Sequence, residues 1–265
     1  MYPQTYNSKI QAGVRNFAHV FDLLDQVDIR RIEHSDDVED LQRFRYKCYH
    51  SKGFMDYRED GICTDRFDSE ENTSLFGIYK DGDLVSSIRV HHLNRENRVS
   101  PSSQTFSDVF DPLLDDGISF IDSSRFTVDQ SANVDLKCLH YVTMRIAVLA
   151  CIYHNVDYSL SLIRPAHAAF YQRYFGFKRW GEVRKYPGLN FEVTQFACNI
   201  RETAEQVLQR MPFMHSLPTE RKLMFDREAS QQCCFNVKTT AKMSVDSVLR
   251  TIEMPKVVNP ALVAA

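Results

Sequence analysis

Apolar residues Ile10, Val14, Phe17, Val20, Phe21 and Leu24 recur at spacings of three and four, which predicts an amphipathic amino-terminal helix over residues 9–26. Residues 27–33 alternate as a short strand does. Ser35 with Asp36 and Asp37 supplies cap and first-turn chemistry for a second helix. On it, Val38, Leu41, Phe44, Arg45, Cys48 and Tyr49 share one side. After an irregular stretch, residues 75–80 and 84–90 read as strands about the tight turn Asp81-Gly82-Asp83. Residues 119–128 form another β-rich run. A polar loop and a long helix at 136–154 follow, with Val142, Ile146, Leu149, Ala150 and Tyr153 along one side. Residues 156–163 are strand-like, Pro165 suits the first turn of a helix through Tyr174, and Gly176 is placed to end it. Residues 177–185 and 189–199 make a closing hairpin about Pro187-Gly188. A helix is predicted from 200 to Arg210, and the residues beyond show no strong pattern.

This order, β-α-β-β-β-α-β-α-β-β, implies an α+β fold of the α/β sandwich kind, a mixed twisted sheet flanked by helices. The strands at 119–128 and 156–163 are expected to be parallel, because the long helix between them has the length a crossover needs. The organisation is a helical extension at 1–26, a core at 27–200 and a helical or irregular extension at 201–265. The element order is similar to that of the GNAT acyltransferases.

Composition narrows the function classes. Thirty-two Lys and Arg against 35 Asp and Glu give a net charge of −3, so the chain has no overall field for nucleic acid, and any charged partner must meet a local patch. No apolar run approaches a membrane span, and the amino terminus has no signal-like pattern, so a cytoplasmic protein without a transmembrane segment is expected. Seven cysteines without C-x-x-C spacing suggest reduced, buried thiols, with no disulfide framework and no metal.

The chemistry concentrates in Ile121-Asp122-Ser123-Ser124-Arg125-Phe126-Thr127-Val128-Asp129 on the central strand. With Arg45, the Asp65-Arg-Phe-Asp68 segment, Leu75-Phe-Gly77 and Ile88-Arg89, it resembles the acyl-homoserine-lactone synthases of LuxI type and the related FeeM-type N-acyl amino acid synthases. The resemblance covers roughly residues 27–200. It implies that Arg45, Asp65, Asp68, Arg89, Asp122 and Arg125 form a charged network beside an acyl-donor cleft and an amine-acceptor pocket. Three arginines and three carboxylates can satisfy one another in a partly dry cleft, where an isolated charge is costly. One arginine would grip the acceptor's carboxylate by its planar fork, and which one stays open. Asp122, Arg125 and His167 are the candidate catalytic residues, with Arg45, Asp65, Asp68, Arg89, Ser123 and Phe126 binding substrate.

Two departures favour the amino-acid-acylating branch. The lactone synthases typically carry a lid tryptophan where this chain has Phe54, its sole tryptophan being Trp180, and they begin the strand motif with glutamate where it has Asp122. Arg164-Pro-Ala-His167-Ala-Ala-Phe-Tyr171, running on to Gly176-Phe177, is similar to a stretch of FeeM-like proteins. The resemblance thus implies transfer of a long-chain acyl group to the α-amine of an amino acid. Lactone synthesis from S-adenosylmethionine, and a catalytically silent acyl-carrier or lipid-binding module, are the alternatives.

The loop after the central strand, 129–135, has no glycine and two aspartates, a poor cradle for a diphosphate. Acyl carrier protein offers the same acyl-phosphopantetheine without the nucleotide, so it is the expected donor, and no tightly bound cofactor is expected. Being acidic, it would dock on a basic patch, for which Arg164, Arg173, Lys178, Arg179, Arg184 and Lys185 are the candidates against a solvated hairpin face. A thioester needs only to be held near a neutral amine, and an aspartate serves as base there only if burial or a bridging water helps. Phe106, Phe110, Val142, Ile146, Leu149, Phe170 and Phe196 are placed to line either core or an acyl tunnel. A Cys–His nucleophile assembled from Cys138 or Cys151 with His140 or His154 is a weaker rival, because cysteines in helix cores are inert.

Overall fold

The computed structural model describes residues 3–33, 35–129, 136–186, 188–227 and 236–253. Two helices, α1 (Pro3–Asn16) and α2 (Ala18–Gln26), replace the single amino-terminal helix. The break falls at Phe17, whose ring packs 5.3 Å from Tyr141 and 5.1 Å from Phe213. Strand β1 (Val27–Ile32) and helix α3 (Ser35–His50) follow, then β2 (Thr73–Lys80) and β3 (Asp83–Leu93). The caps expected from Ser35 and Asp36 fall on side chains outside those described. Asp81 and Gly82 close the β2–β3 hairpin, both with positive φ (53° and 93°), the geometry of a type I′ turn.

Between β3 and β4 (Phe120–Val128) lie two helices the pattern did not predict, α4 (Pro101–Thr105) and α5 (Ser107–Asp115). Ser100 and Ser103 form a reciprocal capping box with Pro101 at the first turn, and Phe106, Phe110 and Leu114 recur at every fourth residue. The core ends with α6 (Leu136–His154), β5 (Tyr158–Ile163), α7 (Ala168–Phe175), β6 (Lys178–Lys185), β7 (Glu192–Asn199) and α8 (Ile200–Arg210). Gly176 terminates α7 with φ 72°.

The eight-stranded sheet runs β6-β7-β5-β4-β3-β2-β1-β8, where β8 is Asn236–Val237. Among the described strands only β4 and β5 pair in parallel, as the crossover through α6 requires. One face carries the main core, where Ile88, Val90 and Ile121 meet α6, α2 and α8. On the other, Leu93, Phe120 and Leu160 pack against Phe106, Phe110 and Leu114.

Beyond residue 211, α9 (Pro218–Phe225), β8 and α10 (Ala241–Glu253) build onto the α6 face. The tie is Arg145 of α6, fully buried. It donates from Nη1 and Nη2 to the Glu220 carboxylate, from Nη2 to the His215 carbonyl and from Nε to the Phe213 carbonyl. Glu220 in turn accepts from the Thr240 amide and hydroxyl. At the other end, Gly13 lies against Pro212 so closely that a Cβ would sit 2.6 Å from the proline ring.

Buried histidines make this arrangement sensitive to acid. Burial holds His91 down to about 3; burial, His92 and Arg31 hold His154 down to about 4, its ring stacked 4.1 Å from that of His92. The unfolded chain protonates these groups near pH 6.5 and the folded protein does not, so stability is full above pH 6.5 and falls as pH drops toward 4. Urea midpoints at pH 7 and pH 5 should show that decline, and His154→Phe should flatten it; a midpoint indifferent to pH in this range would contradict the assignment.

Candidate active site

Strands β4 and β5 pair only from Phe120–Tyr158 to Ser123–Ser161, although β4 runs on to Val128 and β5 to Ile163. Beyond Ser123 each keeps its outer neighbour: β4 stays with β3, and β5 with β7. The gap is a cavity of about 480 Å³ lined by Ser123–Val128 on one side and Ser161–Arg164 on the other. Tyr49 and Phe54 at the end of α3, with Tyr186, Leu189, Phe191 and Val193 of the β6–β7 hairpin, cover the front. Asn190 fastens these two edges, its amide donating to the Phe54 carbonyl and its side chain to Asp56, both at 2.8 Å. His140 of α6 and Tyr171 of α7 line the back, so the cavity is a slot through the sheet.

Arg125 occupies a β-bulge. Two residues, Arg125 and Phe126, stand opposite the single Ile88 of β3, and Arg125 has φ 52°. A non-glycine residue in this left-handed region is strained, by about 1–3 kcal/mol. The reversal turns the guanidinium onto the face of Arg89, where it meets Asp65, and sends Phe126 toward the α6 core.

Behind the slot the charges interlock. Asp65 receives Nη1 and Nη2 of Arg89 and Nη2 of Arg125, and Asp68 receives Nη1 of Arg45 and Nη1 of Arg89. The Asp65 side chain also caps the 3₁₀ turn at Arg66–Asp68, which fixes both carboxylates in place. Burial pushes Asp65 and Asp68 up, but the arginines outweigh it and hold both carboxyls below the usual range. Arg45 and Arg89 are buried without reaching the slot. Arg125 does line it, between the rings of Tyr49 and Tyr186 at 5.7 and 5.5 Å. Its Nε and Nη1, like the Tyr186 hydroxyl, are buried with no hydrogen-bond partner. Unmet donors of this kind are costly; Arg45 has two as well, Nε and Nη2, but only those of Arg125 belong to a residue of the slot wall, where a ligand oxygen can reach them.

The sequence expectations sort as follows. Five of the six network residues come together; Asp122 instead accepts from the Ser102 amide and hydroxyl at 3.0 and 2.8 Å, wholly buried and outside the slot. Burial raises its carboxyl, against the pull of Ser100, Ser102 and Arg89. Ser123 and Phe126 line the slot, as do Arg164 and His167. His167 Nε2 is 3.1 Å from Arg164 Nη2, so that lone pair is occupied, and burial with the nearby charges of Arg164 and Lys52 pushes the ring below its usual pKa. Phe106, Phe110, Val142, Ile146, Leu149, Phe170 and Phe196 belong to the packed cores and do not line the slot. Cys151 is buried with its thiol pushed up to about 12, which removes that cysteine from the Cys–His rival. In the basic stretch, Lys178 pairs with Glu202, Arg179 with Glu182 and Arg184 with Asp108, so acids from elsewhere in the fold thin that patch.

Several slot residues escaped the sequence reading: Tyr49, Lys52, Tyr186, Leu189 and Phe191. Tyr49 was visible as a helix-face residue, but nothing local says that the β6–β7 hairpin folds back over it. Among the described residues no group of His, Cys, Asp and Glu could hold a metal, and no helix is long and apolar enough to cross a membrane.

A family model described as N-acyl amino acid synthase FeeM matches residues 40–199. No curated protein matches the chain. Among solved structures, FeeM, an N-acyl amino acid synthase from uncultured soil microbes, is similar at 17% identity and TM-score 0.56, over 69% of this chain and 96% of that one. BjaI, a CoA-dependent acyl-homoserine lactone synthase, is similar at 16% identity and TM-score 0.51, over 70% of this chain and 89% of its own. The acyl-homoserine lactone synthase LasI aligns at 15% identity and TM-score 0.51, over 66% and 89%. At such identities these likenesses establish the fold, and the family match carries the activity class.

Proposed function

The chain belongs to the FeeM N-acyl amino acid synthase family and is an acyltransferase, and from that premise we propose that it transfers a long-chain acyl group from an acyl carrier protein thioester to the α-amine of an amino acid. The observation that carries the reading is Arg125: a buried guanidinium on the slot wall, with two unpartnered nitrogens beside an unpartnered tyrosine hydroxyl. A carboxylate is the ligand that matches a planar guanidinium fork. Arg45, bound to Asp68, and Arg89, bound to Asp65 and Asp68, do not line the slot and serve as the frame that positions it, although Arg45 too has two nitrogens without a partner.

The slot then divides the two substrates. The front, with Arg125, Tyr49 and Tyr186, takes the amino acid. The back, with Phe126, Val128, Ile163 and Tyr171, is apolar and takes the acyl chain. Beyond Ser123 the β4 backbone has no partner strand on its β5 side, so its amides are free to meet the carbonyl oxygen of a thioester laid in the gap. The amine attacks that carbonyl directly; the C–N bond forms as the thioester C–S bond breaks, and the amine's proton leaves with the pantetheine thiol. Cys48, the slot's one thiol, is pushed up to about 11 by burial and is a poor nucleophile. Among the described residues no carboxylate lines the slot to take the amine's proton.

Two measurements test this. The free amino acid should react and its carboxamide or methyl ester should not, since blocking the carboxylate removes the group Arg125 holds; equal rates would overturn the assignment. With donors of increasing chain length, kcat/KM should rise about fourfold per methylene until the back of the slot is full, at about 0.8 kcal/mol each. Equal rates for acetyl and long acyl donors would refute the apolar acyl site.

A further inference from the structure

Three basic side chains gather at one rim of the slot, all among its lining residues: Lys52 after α3, Arg164 at the end of β5 and His167 in the 3₁₀ turn that follows. Arg164 is held in place, its guanidinium carbon 4.3 Å from the Phe54 ring centre and 5.6 Å from that of Phe191, with His167 Nε2 as acceptor for Nη2. Among the described residues no acidic side chain lines the slot. Three of the other five basic residues of the 164–185 stretch contrast with this: Lys178, Arg179 and Arg184 each face a carboxylate, while Arg173 and Lys185 do not line the slot. A stacked, oriented arginine and a lysine with no acid paired to it among the described residues, at the mouth of an apolar slot, make an anion site distinct from Arg125.

We propose that Lys52 and Arg164, positioned by Phe54 and His167, bind the single phosphate of the donor's phosphopantetheine arm. This rests on the acyl-transfer reading and adds its donor specificity. A thioester laid between β4 and β5 has its pantetheine running out of the slot, so the phosphate at the far end of that arm belongs at the rim. Guanidinium and ammonium suit one phosphate, whereas the following loop, 129–135, has no glycine to cradle a diphosphate. The slot therefore favours a carrier-bound or truncated phosphopantetheine donor over one that depends on its nucleotide.

The test compares pantetheine with 4′-phosphopantetheine, first by calorimetric binding to the full chain and then as their acyl thioesters in turnover. The phosphate should improve both affinity and kcat/KM by about ten- to a hundredfold, and that ratio should fall toward one in K52Q/R164Q. Lys52→Gln alone, an exposed change that leaves the Arg164 stack intact, should lower the ratio part of the way. A ratio of one in the wild type, or one that the double variant leaves unchanged, overturns the proposal. If the rim instead takes the acceptor's carboxylate, the variants will raise the amino acid's KM and leave the ratio alone, which also overturns it. Binding without any acyl transfer would sustain the phosphate site and remove the acyl-transfer reading.

Discussion

Arg125→Gln is expected to lower kcat/KM for amide formation by about two orders of magnitude, close to 3 kcal/mol, with most of the loss in the KM of the amino acid. The variant keeps a side chain of similar reach but loses the charge and the fork. Asp65 retains both Arg89 nitrogens, so the frame survives and the protein should still melt cooperatively. Arg125→Lys should rescue little, because an ammonium cannot make the paired contact from a backbone held at φ 52°. Steady-state kinetics against acceptor concentration check this. An unchanged KM in a folded Arg125→Gln protein would move the carboxylate site elsewhere.

The second large effect concerns stability. Arg145→Met should destabilise the protein by about 3–5 kcal/mol, because it strands the Glu220 carboxylate in the interior with only Thr240 to meet it. At this size the melting temperature should fall by about 10 °C. The double variant Arg145→Met/Glu220→Leu should recover much of the loss, since an apolar pair of similar volume avoids the desolvation cost. Acid should act on the same contact. Glu220 is buried, which raises its carboxyl, yet Arg145 outweighs that and holds it below its usual value, so this contribution is present above the usual carboxylate range and is lost as pH falls below about 4. Thermal scans of both variants measure it, and additive losses in the double variant would show that the two groups do not act as a pair.

How much of this was legible in the residues differs by element. The β2–β3 hairpin was, because Asp-Gly in a two-residue turn is a local signal, and so was the α6 crossover, whose length dictates a parallel neighbour. Helices α4 and α5 have local signals as well, a Ser-Pro cap and a four-residue repeat from Phe106 to Leu114, but the sequence reading places Phe106 and Phe110 only as core or tunnel residues and assigns them to no helix. Beside the slot, the charged network of Arg45, Asp65, Asp68, Arg89 and Arg125 is what the family resemblance implies, and these five side chains do meet in the fold. What no motif could convey is which arginine is spent on its neighbours. That depends on the bulge that turns Arg125 and on the hairpin that brings Tyr186 over it. The same limit explains the basic stretch at 164–185, whose neutralising acids, Asp108 and Glu202, are distant in the chain and adjacent only in the fold.

The most direct measurement is product identification. The purified protein, given long-chain acyl carrier protein, the amino acids and S-adenosylmethionine together, should yield an N-acyl amino acid by mass spectrometry, and Arg125→Gln should yield little. An acyl-homoserine lactone as the product, or no acylated product from a folded protein, would contradict the account.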